Sequence, residues 1–120
     1  MNTMDDTMDK MLDLLIKEFF KAYEIVVIKI GNSTDENIIT IRNQLKDNID
    51  KLENHVENLE NLSILISDEE LDNETNEIKS NIIWLFILSL RLIKQVAEEE
   101  TKGHVMVCNL CIRYIISTPE

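Results

Sequence analysis

The sequence predicts an all-α protein, a compact bundle of about four helices in a single domain over residues 1–120, and three observations carry that reading. Two glycines and one proline leave little material for hairpin turns or sandwich edges. Apolar residues recur at intervals of three and four through most of the chain, the period of a helix. The run Ile82-Ile83-Trp84-Leu85-Phe86-Ile87-Leu88-Ser89-Leu90-Arg91-Leu92-Ile93 is apolar nearly all the way round, so it needs cover on more than one side.

The first predicted helix covers residues 3–30, with Asp5 and Asp6 in its opening turn, where carboxylates favour the helix dipole. Lys10, Asp13, Lys17, Lys21 and Glu24 mark a narrow polar strip. Met8, Met11, Leu12, Leu15, Phe19, Ala22 and Val26 form a broad apolar face, which Ile16, Phe20, Tyr23 and Val27 widen further. Residues 25–30 are rich in β-branched side chains yet continue the helical pattern; the alternative is an α+β fold with strands at 25–30 and 105–116. Gly31 and Asn32 tolerate a left-handed C-cap, and Ser33-Thr34-Asp35-Glu36 has the spacing of a capping box.

From Ile38 the apolar residues follow a heptad, with Ile38, Leu45, Leu52, Leu59 and Ile66 at one position and Ile49 and Val56 at the other. Ile41 lies close to the second position. Residues 33–77 hold thirteen acids against Arg42, Lys46 and Lys51, which is nearly all of the net charge of −11. Asp47, Asp50, Glu53 and Glu57 are its exposed acidic face. Ser67-Asp68-Glu69-Glu70 is a second capping box, which puts a break near Ile66. A third helix then runs to about Thr101, interrupted around residues 72–75, and Gly103 ends it. A short last element follows at 104–117, terminated by Thr118-Pro119-Glu120.

On the third helix Ile78, Ile82, Leu85, Phe86, Ser89, Ile93 and Val96 form the inward face. Trp84, Ile87 and Leu88 form a second apolar patch that stops at Arg91. Either the first and last helices cover that patch or another protein does; a Trp flanked by aliphatic residues and an Arg is an interface composition.

Catalytic motifs are missing from the sequence: there is no Gly-rich phosphate loop, no Gly-x-Ser-x-Gly and no His-Glu-x-x-His. No enzyme activity and no cofactor are expected. His104, Cys108 and Cys111 are spaced to share one helix face, which suits either a metal or redox sensor or plain core, since free Cys is among the most buried residue types. The acidic balance argues against nucleic acid, whose phosphates are held by Lys and Arg clusters. The apolar run is a dozen residues, against roughly 20 for a span, and holds Arg91 between Lys79 and Lys94, so no membrane span is expected. Acidic residues open the chain where a secretory signal carries basic ones, and an intracellular, cytoplasmic setting is expected.

These readings converge on a small non-enzymatic helical interaction module, self-associating into a homo-oligomer or binding a protein partner, with an acidic helix exposed. The alternatives are an acidic decoy or inhibitor of a basic nucleic-acid-binding protein, and the metal or redox sensor.

Overall fold

The computed structural model describes the backbone of residues 3–65 and 68–117, and their side chains outside 3–6, 8–9 and 59–76. The described residues form three α-helices and no strand: α1 (Thr3–Ile30), α2 (Glu36–Leu65) and α3 (Asp68–Ser117). The protein is all-α. The α+β alternative is overturned, because residues 25–30 complete α1 and residues 105–116 lie inside α3. Helix wins at 25–30 because Val26 and Ile30 extend the buried stripe begun by Leu15, Phe19 and Ala22. Packing along one face outweighs the few tenths of a kcal/mol that a β-branched residue costs a helix.

Gly31, at φ 51°, closes α1: its N–H donates to the Val27 carbonyl at 3.0 Å, and the Ser33 N–H donates to the Ile30 carbonyl at 3.0 Å. The next helix is capped two residues later than the sequence pattern suggests. Asp35 Oδ1 accepts the Asn37 N–H at 2.9 Å, and the Asp35 carbonyl accepts the Ile39 N–H at 3.0 Å. Ser33 gives its backbone N–H to the end of α1, and the Asp35 side chain caps α2.

The break expected near Ile66 falls between the end of α2 and the start of α3, although Ile66 and Ser67 lie outside the described residues. So do the side chains of Asp5, Asp6, Met8 and Leu59. α3 continues through residues 72–75 and through Gly103, and the fourth helix expected after Gly103 is therefore part of α3. Gly103 has no positive φ, and nothing about its backbone stops the helix. The actual irregularity is a kink at Ala97 (φ −142°, ψ 52°). The Thr101 hydroxyl donates to the Ala97 carbonyl at 2.5 Å in a buried position, so a side chain has entered the backbone ladder at the bend. Glu98, Glu99 and Glu100 follow in the first turn after the kink, where the helix dipole favours acids.

The fold divides into two units: Met1–Ser33 with Leu90–Glu120, and Thr34–Ser89. In the first, α1 and the C-terminal part of α3 run antiparallel, because Leu15 meets Cys108, Glu18 meets His104 and Lys29 meets Glu100. α1 buries Leu15, Phe19, Ala22, Val26 and Ile30, and α3 buries Leu90, Ile93, Ala97, Thr101, Cys108, Cys111 and Ile112. Each large apolar side chain taken out of water contributes roughly 1.5 to 3 kcal/mol. The second unit buries Leu45, Ile49 and Leu52 of α2 and Ile82, Ile83, Leu85, Phe86 and Ser89 of α3. Ile38 and Ile41 are half-buried, whereas Val56 is 41% exposed and leaves the heptad seam. The Ser89 hydroxyl is buried with no hydrogen-bond partner among the described residues.

Candidate functional site

In the second unit, the stripe formed by Trp84, Ile87 and Leu88 on α3 is open to solvent. Trp84 is 55% exposed, and Ile87 and Leu88 are half-buried. The chain's own helices thus leave Trp84 uncovered. Arg91, one turn further on, is exposed and belongs to the first unit. Asp47, Asp50, Glu53 and Glu57 of α2 are all exposed. Lys51 lies 3.7 Å from Asp47, but both side chains are well solvated, and such a pair contributes at most a few tenths of a kcal/mol.

The His104, Cys108 and Cys111 face turns toward α1, where each group meets a protein environment rather than an open site. His104 Nδ1 hydrogen-bonds Glu18 Oε2, and an ionised carboxylate only accepts, so Nδ1 carries the proton. The hydrogen bond from His104 is the main reason the Glu18 carboxyl titrates below its ordinary value, overcoming the opposite effect of burial; Lys21, 3.6 Å away, adds to it. The Cys108 thiol faces the Leu15 carbonyl at 3.8 Å. Burial, with Cys111 and Glu18 adding, pushes its pKa up to about 12, and burial first and Glu18 second also raise that of Cys111. Both cysteines are free, and burial favours their thiol form over the thiolate. Among the described residues no three His, Cys, Asp or Glu side chains gather to hold a metal ion.

Sequence reasoning passed over Glu18. Its signal was present, as an acid at the edge of the apolar face of α1, but its partner lies 86 residues away. The pair of Lys29 Nζ and Glu100 Oε1, at 3.0 Å, was also missed; it is exposed on both sides. A larger departure concerns the side chains expected to widen the core face of α1. Ile16 is 38% exposed, Phe20 43% and Val27 46%. Phe20 stacks edge-on against Phe19 at 5.5 Å and against Tyr23 at 6.5 Å, which holds its ring in place at the surface.

Residues Glu77–Ser117 of α3 include an 18-residue window long and apolar enough to cross a membrane, and 44% of that window is buried inside the protein. Compared with known proteins, the chain matches no family model, no curated protein and no solved structure.

Proposed function

We propose that this chain is a non-enzymatic helical interaction module that self-associates and takes a protein partner on the α3 surface formed by Trp84, Ile87, Leu88 and Arg91, with α2 as its exposed acidic helix. The observation that carries the reading is the exposure of Trp84. A Trp more than half open to water, beside two half-buried aliphatic residues, is the composition of an interface centre, and Arg91 supplies the polar rim. Protein is favoured over lipid as the cover because Lys79, Arg91 and Lys94 interrupt and flank the apolar run.

Photo-cross-linking from position 88 in the native host tests the surface, with Trp84→Glu as the control. A discrete cross-linked species that disappears in the variant is expected. A cross-link indifferent to Trp84→Glu, or none at all, overturns it. Light scattering tests self-association, and a strictly monomeric species across micromolar concentrations removes that part.

The exposure of Asp47, Asp50, Glu53 and Glu57 supports a second reading, in which the acidic helix engages a basic site on a nucleic-acid-binding protein. Charge reversal at these four positions then abolishes binding to that protein; binding unchanged by the reversal excludes it.

A further inference from the structure

We propose that self-association occurs through α1, as a two-fold antiparallel pairing of its exposed apolar stripe with that of a second copy. The inference rests on the self-association reading and names its surface, which is separate from Trp84. Ile16, Phe20, Tyr23 and Val27 are spaced four, three and four, which sets them in one row on the helix, beside the row of Leu15, Phe19, Ala22 and Val26 that is already buried. Ile16, Phe20 and Val27 are each about two-fifths exposed and Tyr23 is half-buried.

The flanking charges identify the occupant. In coiled-coil terms Ile16 and Tyr23 hold one core position, Phe20 and Val27 the other, and the flank open to solvent carries Lys17 and Glu24. Both are exposed, and neither is in an ion pair among the described residues. Antiparallel pairing that places Ile16 opposite the partner's Val27 and Phe20 opposite the partner's Tyr23 brings Lys17 beside the partner's Glu24. The two-fold axis repeats every contact, so Glu24 also meets the partner's Lys17, and one stripe is complementary to itself. Parallel pairing lacks this match, since the positions facing Lys17 and Glu24 are then Leu12 and Phe19, both apolar.

Light scattering on the full chain across micromolar concentrations, with a charge-swap series, tests the proposal. The wild type is expected to be a dimer. Lys17→Glu sets two acids against each other at both ends of the pair and is expected to raise the dissociation constant about tenfold or more. Adding Glu24→Lys to the same chain reverses both members and restores dimerisation to near the wild-type level, a rescue that also rules out misfolding as the cause of the loss. Phe20→Glu gives a monomer, Trp84→Glu leaves the dimer intact, and circular dichroism confirms that each variant is helical. A wild-type oligomer unaffected by Lys17→Glu and Phe20→Glu overturns this surface and leaves self-association standing. A wild-type monomer overturns self-association and this surface with it.

Discussion

Glu18 on α1 and His104 on α3 are joined by a hydrogen bond across the first unit, with the carboxylate side chain 15% exposed and the imidazole 33% exposed. The bond holds the Glu18 carboxyl below its ordinary value of 4.5, and the Lys29 ammonium does the same for Glu100. A carboxyl with a lower pKa in the folded state binds fewer protons than in the unfolded chain. Its contribution to stability is therefore complete above 4.5 and is lost as the pH falls through the folded-state value. Acid titration of the denaturation midpoint should show this loss, and Glu18→Gln should flatten it. A midpoint with the same acid dependence in Glu18→Gln contradicts the assignment.

The two glycines should respond to alanine in opposite directions. Gly31 sits at φ 51°, where a side chain strains the backbone, so Gly31→Ala should destabilise by about 1 kcal/mol. Gly103 is inside α3 with nothing within 4 Å of where a Cβ would stand, so Gly103→Ala should stabilise by about 0.5 to 1 kcal/mol. Urea denaturation of the two variants is sufficient, and equal signs refute the contrast.

Two buried hydroxyls on α3 make a second such pair. Ser89 has no hydrogen-bond partner among the described residues, so Ser89→Ala should be neutral or stabilising by up to about 1 kcal/mol. The Thr101 hydroxyl donates to the Ala97 carbonyl at the kink, and Thr101→Val, equal in shape, should cost about 1 to 2 kcal/mol. Thermal melts followed by circular dichroism separate these outcomes.

Cys108 and Cys111 should resist thiol reagents in the folded protein and react once it unfolds. Both are buried, and their raised pKa values keep them as thiols. Timed labelling with an aromatic disulfide reagent over a urea series should follow the unfolding curve. Rapid labelling in the absence of denaturant contradicts the burial.

The bounds of α1 were legible because an unbroken helical period runs from Thr3 to Ile30 and a glycine follows it. The cap of α2 was legible in kind but not in place, since Ser33, Thr34 and Asp35 all carry a side-chain oxygen able to cap a helix. The kink at Ala97 was hidden because alanine is the best helix former and marks no break, and Gly103 offered a more familiar stop signal. Three consecutive acids after Ala97 were the local sign of a new helix beginning. At the candidate sites, periodicity put Cys108 and Cys111 on one face and Trp84 on another. What each face meets depends on pairings distant in sequence, such as Glu18 with His104, that local patterns do not contain. The exposure of Phe20 was hidden for the same reason: a broad apolar face says how much can be buried, not how much one neighbour covers.

The division into units also has a consequence for synthesis. Thr34–Ser89 is an uninterrupted stretch inserted between the two parts of the other unit. As the chain leaves the ribosome, α1 appears first, but the segment it pairs with is the last of the described helix to be made, so α1 waits with two apolar rows uncovered. The inserted stretch has all its own elements in hand before then and can settle earlier. Assembly of the older helix is thus deferred behind that of the younger, and the interval is when α1 is most open to premature association or to a chaperone.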